Sequence, residues 1–373
     1  MFKFTGFGNR DSNQNWRHVD RVDLSSVQAN DANTGSANHE GRDYHIFDTQ
    51  LLSAINTALA LGMPMLVTGE PGVGKTALAS RIAYELDCAM LTYRVKSTSQ
   101  GTDLLYRIDN MRRLVDTHIE ENRHNACDVR SYISFNALGL AVLRAQNPEV
   151  LEHHGLLKQV WGSTAQPEAV SSVVLIDEID KAPADFPNDL LEEIKDLNFT
   201  IPEYSDEGEL VRLGFTGDIN SSYKPFVLIT SNAVRALPEA FLRRCVYYHL
   251  QLPSPPAENT PADNPERLRY EAFTRAINNR VNTIVSHQQD KLDTEVSLEA
   301  AWKTFWDLRD TSLSRKPSTG EGLNWMLAVR RGLAGEPGTK LWRQSAITLL
   351  VKNNDDVELA LDVLAPSRTE DAD

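Results

Sequence analysis

The feature that most constrains this chain is a glycine-rich segment, Gly69–Thr76, with the sequence GEPGVGKT. The segment fits the full P-loop pattern, in which glycines let backbone N–H groups surround a chain of phosphates. A short apolar run, Met65–Val67, precedes it, and Thr76–Asp87 follows with apolar residues at helical spacing. Because this pattern requires a strand before it and a helix after it, the segment predicts a nucleotide-binding fold.

Each part of the segment has a predicted role in phosphate binding. The helix that begins after Gly74 directs its positive N-terminal end towards the phosphates. Lys75 supplies a positive charge to the β- and γ-phosphates, and the hydroxyl of Thr76 is a ligand for Mg²⁺. The predicted cofactors are therefore ATP and Mg²⁺. The residues expected to contact the nucleotide are Gly69, Glu70, Pro71, Gly72, Val73, Gly74, Lys75, Thr76 and Ala77.

Two adjacent carboxylates, Asp177 and Glu178, end a second apolar run, Val173–Ile176. Burying the end of a strand that carries two acids is unfavourable unless the acids are needed there. In P-loop enzymes the first acid holds Mg²⁺ through water, and the second polarises the attacking water. We therefore expect Asp177 at the metal ion and Glu178 to act as the catalytic base.

Polar and basic residues at two later positions have more than one interpretation. Asn232 follows the apolar run Phe226–Thr230, where its amide can hydrogen-bond a γ-phosphate or the attacking water, although Ser-Asn is also common in turns.

Arg243 and Arg244 end a short predicted helix. Arginine is suited to stabilising charge on a transferring phosphoryl group. Cations at a helix end also interact favourably with the helix dipole, and the residues alone favour that second interpretation.

The order of predicted strands and helices up to residue 253 indicates an α/β fold. Strands alternate with helices, which predicts a P-loop αβα sandwich with a parallel sheet covered on both faces. The proline-rich segment 254–265 is interpreted as a linker, and 266–365 as a small all-helical lid domain. Its helices are expected at about 266–290, 294–312, 320–334 and 339–364. Residues 1–40, rich in Asn, Asp, Ser and Gly, predict a flexible arm, and 366–373 an acidic tail.

Charge and composition bear on partners and location. The formal net charge of −14 makes nucleic acid a poor default partner, since an acidic surface repels phosphate backbones. The N-terminus has no apolar stretch of signal-peptide length, and no apolar run is long enough to span a bilayer, so we expect a cytoplasmic protein without membrane contact. Cys88, Cys127 and Cys245 show no paired spacing and are interpreted as ordinary thiols in a reducing compartment.

Four segments in this order resemble the AAA+ superfamily and, more narrowly, its MoxR-like branch: GEPGVGKT, VVLIDEIDKAP, ITSN and LPEAFLRRC. The resemblance covers about 42–335. The segment SQGTDLL at Ser99–Leu105 is similar to the start of that branch's insert in the second helix, expected here over about 97–140. Residues 41–253 are accordingly identified as an AAA+ nucleotide-binding domain.

The resemblance implies a role for each residue that matches a motif of the superfamily. Lys75 and Thr76 match the lysine and hydroxyl of the Walker A motif. Asp177 and Glu178 match the Walker B pair, and Asn232 matches sensor 1. The resemblance thus implies an ATPase that converts ATP and water to ADP and phosphate.

The resemblance also implies an oligomer. Arg244 best matches the arginine finger that reaches a neighbour's ATP, with Arg243 as the alternative, and proteins of this kind typically form ring hexamers. One departure concerns the sensor 2 arginine on the lid. Ser318 stands at its usual position, which leaves Arg315 or Lys316 as substitutes.

Three functions are compatible with these residues. The first is a chaperone-like ATPase that remodels partner proteins, often with a von Willebrand A-domain protein as partner. The second is a slow nucleotide-dependent switch or scaffold that gates an effector in a stress or defence module. The third, a nucleic-acid motor, is disfavoured by the acidic charge. An intact Glu178 favours turnover but does not separate a motor from a slow switch, and the insertion over about 144–172 has no assigned role.

Overall fold

In the computed structural model, the chain divides into two compact units. One consists of Met1–Gly69 and Gly74–Leu250, and the other of Glu70–Val73 and Gln251–Asp373. The predicted flexible arm over 1–40 and the acidic tail over 366–373 lie outside the described residues, as does Cys127. The structure describes residues 48–119, 128–162, 164, 167–206, 209–215, 223–287 and 298–365.

The first unit is built on a five-stranded parallel sheet with the order β2–β5–β8–β1–β9. Its central strands are buried along their length, as expected for strands covered on both faces. The prediction of a parallel α/β sheet is therefore confirmed. The strands of this sheet are β1 (Met65–Thr68), β2 (Ala89–Arg94), β5 (Ser172–Asp177), β8 (Phe226–Ser231) and β9 (Val246–His249).

The edge strand β9 has no counterpart in the sequence prediction. Its residues alternate between half-buried and exposed, and two of them are Tyr247 and His249. An edge strand buries only part of its surface, so it lacks the continuous apolar run that marks the central strands.

Helices, one antiparallel hairpin and a second antiparallel pair of strands complete the first unit. Strands β3 (Tyr106–Ile108) and β4 (Ile133–Phe135) pair with each other, and β6 (Asn198–Asp206) pairs with β7 (Glu209–Gly214). The helices are α1 (Thr49–Leu61), α2 (Lys75–Glu85), α3 (Asn110–His118), α4 (Ala137–Arg144), α5 (Pro148–His153), α6 (Leu157–Trp161), α7 (Phe186–Asp196) and α8 (Glu239–Leu242).

The insertion over about 144–172 forms part of the core of this unit. It contains α5 and α6, whose side chains Leu151, Val160 and Trp161 are buried in the same apolar cluster as the strands. The guanidinium of Arg144 lies 5.5 Å from the centre of the Trp161 ring and donates to the carbonyl of Val160. We therefore attribute a packing role to this segment.

Helices are the regular secondary structure of the described part of the second unit, which agrees with the predicted all-helical domain. Its helices pack around Trp302, Phe305, Trp325 and Trp342. They are α9 (Pro265–His287), α10 (Glu299–Asp310), α11 (Thr319–Arg330), α12 (Lys340–Leu350) and α13 (Val357–Val363).

The expectation of one helix over about 339–364 is wrong, because α12 and α13 are separate. Asn353 caps a short 3₁₀ turn, Asn354–Asp356, by accepting from the backbone N–H of Asp355. The carboxylate of Asp356 accepts from the backbone N–H and the hydroxyl of Ser314. Such side-chain bonds compete with helical ones, so the chain leaves the helix here although its apolar spacing continues. Among the helices of the described ranges, none is long and apolar enough to cross a membrane.

Candidate nucleotide site

Four predicted site residues, Lys75, Asp177, Glu178 and Asn232, lie at one edge of the parallel sheet. Strand β1 pairs in register with β8, with Thr68 opposite Ser231, and β5 pairs with β8 so that Ile176 is opposite Ile229. The carboxyl ends of parallel strands meet at the same edge, which is where open α/β sheets bind ligands. Register thus places the segments that follow β1, β5 and β8 side by side.

Lys75 is the first residue of α2 and is only 7% exposed. Its ammonium donates to the carbonyl of Gly69 at 2.7 Å and to Oδ1 of Asn232 at 2.8 Å. The residue before it, Gly74, has φ 103°, a conformation that favours glycine. The positive charge of Lys75 is therefore held at the positive end of a helix, next to the glycines Gly69 and Gly74, as a phosphate site requires.

The carboxylate of Glu178 joins this arrangement through Asn232. Its Oε1 accepts from Nδ2 of Asn232 at 3.3 Å, and its Oε2 accepts from Nζ of Lys181 at 2.5 Å. The hydrogen bond to Glu178 raises the pKa of Lys181 above its usual value. Glu178 itself has φ 62°, which is rare outside glycine and characteristic of residues held in a strained functional conformation. Lys75, Asn232 and Glu178 form one hydrogen-bonded chain, which we call the sheet-edge cluster.

Two buried residues fix the backbone around the cluster. The hydroxyl of Thr230 donates to Oδ1 of Asp177 at 2.6 Å and accepts from the backbone N–H of Glu178 at 2.9 Å. The carboxylate of Asp180 accepts from the backbone N–H of Asn232 at 3.1 Å. Thr230 is fully buried and Asp180 is 5% exposed. Asp177, Glu178 and Asn232 are thus positioned by hydrogen bonds that join β5, β8 and the residues that follow them.

The sequence interpretation gave no role to Thr230, Asp180 or Lys181, although all three lie in the segments quoted for the resemblance. The contacts of Thr230 and Asp180 depend on the register of β5 against β8, which the sequence does not show, whereas Lys181 contacts Glu178 three residues earlier. The adjacency of four charged residues at 177–181 was the available signal, because a buried strand end rarely carries so many without mutual contacts.

The donor set around Asp177 suits a hard divalent cation. Oδ2 of Asp177 lies 3.9 Å from Nε of Arg94 at the end of β2, and the side chain is only partly buried. Mg²⁺ prefers one or two protein oxygen ligands with waters and phosphate oxygens filling the remaining positions, so Asp177 and the hydroxyl of Thr76 fit it. Within the ranges that the structure describes, no group of three or more His, Cys, Asp or Glu side chains is arranged to hold a metal alone.

The two arginines at the end of α8 have different surroundings. Arg243 is exposed and pairs with Glu239 one turn earlier. Arg244 is also exposed, and among the described residues its guanidinium has no hydrogen bond or ion pair. The next residue, Cys245, is buried, and burial raises the pKa of its thiol to about 12. The structure does not bring either guanidinium into the sheet-edge cluster of the same chain.

In the second unit, Ser318 caps α11. Its hydroxyl accepts from the backbone N–H of Glu321 at 3.4 Å, and the Glu321 carboxylate accepts from the backbone N–H of Ser318 at 2.7 Å. This reciprocal pair is a capping box. Arg315, a predicted substitute for a sensor 2 arginine, pairs with Glu321 at 3.3 Å. Ser318 therefore has a structural role in place of the arginine expected at its position.

Comparison with known proteins places these features in a family. Residues 65–253 match the model of the ATPase family associated with various cellular activities (AAA). No curated protein matches the chain in sequence. Among solved structures, the RuvB Holliday junction branch migration motor of Thermotoga maritima is 14% identical, with 85% of this chain and 68% of that chain covered and a TM-score of 0.36. PCH-2 of C. elegans is 14% identical, with 88% of this chain and 71% of that chain covered and a TM-score of 0.31.

Proposed function

Because this chain belongs to the AAA family of ATPases, we propose that it binds ATP with Mg²⁺ and hydrolyses the nucleotide at the sheet-edge cluster. The observation that carries the proposal is the hydrogen-bonded chain from Lys75 through Asn232 to Glu178. A phosphate-binding ammonium, an amide and a carboxylate base are thereby held within one site. This is the set that phosphoryl transfer to water requires.

The reaction follows from the positions of these groups. Lys75 exchanges the carbonyl of Gly69 for phosphate oxygens, and Asn232 orients the γ-phosphate or the attacking water. Glu178 accepts a proton from the water as its oxygen bonds to the γ-phosphorus, while the bond to the bridging oxygen breaks and ADP leaves with the electron pair. Thr76 and, through water, Asp177 would hold Mg²⁺, which would supply positive charge next to the phosphates.

We propose that the active form is a homo-oligomeric ring, with a hexamer as the expected size. Arg244 is the group that supports this assignment, since its exposed guanidinium is free to reach the ATP of a neighbouring subunit. Arginine fingers of this kind stabilise the charge of the transition state. Arg243, which is engaged by Glu239, is the weaker candidate for the same role.

The biological role that we propose is MoxR-like remodelling of a partner protein, in the cytoplasm. The four motifs and the segment Ser99–Leu105 support the narrower family. A von Willebrand A-domain protein, which the resemblance implies, is the first partner to test. ATP turnover that rises when such a partner is added supports the remodelling role.

A slow nucleotide-dependent switch is the second candidate, and one observation favours it. Both carboxylate oxygens of Glu178 are engaged, one by Asn232 and the other by Lys181. Both partners must move away before an attacking water can donate to this carboxylate, so turnover in the isolated protein would be slow. A rate that stays low with every partner and at every protein concentration supports this alternative.

Substitution of Glu178 by Gln tests the hydrolytic site. The amide keeps the size of the side chain but cannot accept the proton, so we expect ATP to bind while turnover falls by about a hundredfold or more. Steady-state phosphate release and binding of a fluorescent ATP analogue measure the two effects. Glu152→Gln, an exposed glutamate on α5, is the matched control and should leave both unchanged. A Glu178→Gln rate close to that of the parent protein would remove Glu178 as the base.

A further inference from the structure

The tip of the P-loop belongs to the second unit. Glu70–Val73, the four residues that we call the crest, are grouped with the helical residues Gln251–Asp373. Glu70 and Gly72 of the crest contact α10 and the start of α11 within that unit. The sequence treats these residues as part of one phosphate-binding loop, so their contacts with the helices are a feature that the motif does not predict.

The first contact is an ion pair between Glu70 and Arg309, near the end of α10. Nη2 of Arg309 lies 2.7 Å from Oε2 of Glu70. The arginine side chain is 8% exposed, whereas the glutamate side chain is 52% exposed. The buried partner is thus a cation, and a buried cation is unfavourable unless acceptors surround it. Glu70 is the carboxylate that the structure places against it.

Other groups hold the guanidinium of Arg309 in place. Nη1 donates to the carbonyl of Pro317, and the guanidinium lies 5.8 Å from the ring centres of both Phe305 and Trp306. The planar guanidinium can stack on aromatic rings and donate from its edge at the same time. Arg309 is therefore a fixed point in the helical unit, to which the more exposed Glu70 is attached.

The second contact brings the backbone of Gly72 close to the side chain of Thr319. Gly72 has φ 81°, and a Cβ atom built on it would lie 2.9 Å from Cβ of Thr319, the first residue of α11. Only glycine satisfies both the conformation and the close approach. Thr319 is 8% exposed, so the crest packs directly on the first turn of this helix. Two crest residues are thus fixed by neighbouring side chains of the same unit.

We propose that Arg309 is a positioning residue for nucleotide binding, because it fixes Glu70 and with it the crest in the conformation that receives phosphates. A glycine-rich loop loses much conformational entropy on ordering, so a loop that is already held binds its ligand more tightly. The inference rests on the proposed ATP binding. It assigns to Arg309 an indirect role, through Glu70.

A double-mutant cycle on ATP affinity tests the assignment. Arg309→Gln and Glu70→Gln each remove the ion pair, and we expect each to weaken binding of a fluorescent ATP analogue by about fivefold, a modest factor because Glu70 is half exposed. The double variant should be no weaker than either single variant, since the same interaction is lost in all three. Arg267→Gln, which removes the ion pair with Glu271 in the same unit, is the matched control and should bind ATP normally.

Several outcomes would overturn the inference. Independent losses, with the double variant weaker by about twenty-fivefold, would show that the two residues act separately. Normal affinity in Glu70→Gln would also overturn it, and this variant remains informative if Arg309→Gln fails to fold, because Glu70 is half exposed. Lys75→Ala separates this failure from that of the proposed function. If Lys75→Ala abolishes binding while Glu70→Gln has no effect, only the inference on Arg309 fails.

Discussion

Two regions that the sequence assigns to the same reaction differ in how firmly the fold holds them. In the sheet-edge cluster, Lys75 is buried and Asn232 and Glu178 are each held by hydrogen bonds. At the end of α8, Arg243 and Arg244 are both exposed. We infer that one chain preorganises the groups proposed to bind and hydrolyse ATP, whereas the arginine proposed to act on a neighbouring molecule stays in solvent.

The sequences around these regions explain the difference. The cluster follows three strands whose ends lie at the same edge of a buried sheet, so its side chains meet without long loops. Helix α8 has four residues, Glu239–Leu242, and is anchored by Phe241 and Cys245, which are buried. Because the buried side chains of Phe241 and Cys245 lie on one side of this short helix, Arg244 lies on the other side, in solvent.

The largest effect is expected for Arg244→Ala. An arginine finger can contribute roughly 10³–10⁵ in rate, so turnover should fall by about a thousandfold or more while ATP binds almost normally. Phosphate release by the assembled protein and titration with a fluorescent ATP analogue separate the two quantities. A turnover number near that of the parent protein would mean that Arg244 only stabilises the end of α8. The two regions would then not belong to the same reaction.

A smaller effect is expected for Thr230→Val, which removes the hydroxyl between Asp177 and the backbone of Glu178. The carboxylates lose their alignment, and displacements of about 1 Å can reduce a rate by about a hundredfold, so we expect kcat to fall by about tenfold to a hundredfold. The fall should exceed any change in ATP affinity. Thr230→Ser retains the hydroxyl and should keep most of the activity. Equal rates for the valine and serine variants would show that this hydroxyl does not position the base.

The smallest effect is expected for Arg243→Ala. This arginine forms an exposed ion pair with Glu239 one helical turn away, and such pairs contribute only about 0.3–0.5 kcal/mol to stability. We expect a slight change in the denaturation midpoint and an unchanged turnover number. A loss of turnover comparable with that of Arg244→Ala would reassign the finger to Arg243.

Much of the fold could be predicted because its central strands are continuous apolar runs. Strands β1, β5 and β8 are found within a residue or so of the positions expected from the sequence. The edge strand β9 lacks such a run and was missed. The break between α12 and α13 was also missed, since it depends on a tertiary contact between Asp356 and Ser314.

The candidate site could be predicted only in part. The order of the motifs places Lys75, Glu178 and Asn232 at strand ends, and the structure brings these residues together. The contacts of Thr230 arise from the register between β5 and β8, and the contact of Arg309 with Glu70 joins residues 239 positions apart. Neither register nor so distant a contact leaves a local pattern in a single sequence.

Mixing two inactive variants tests the central claim most directly, namely that Arg244 completes a site whose other groups lie in a neighbouring chain. Lys75→Ala removes nucleotide binding, and Arg244→Ala removes the finger. In a mixed oligomer, the intact P-loop of an Arg244→Ala subunit faces the intact Arg244 of a Lys75→Ala subunit. Differently tagged variants, purified together through both tags, establish that the mixed complexes have formed. We predict that these complexes regain part of the ATP turnover that neither variant has alone. Mixed complexes that form but remain inactive would contradict the claim.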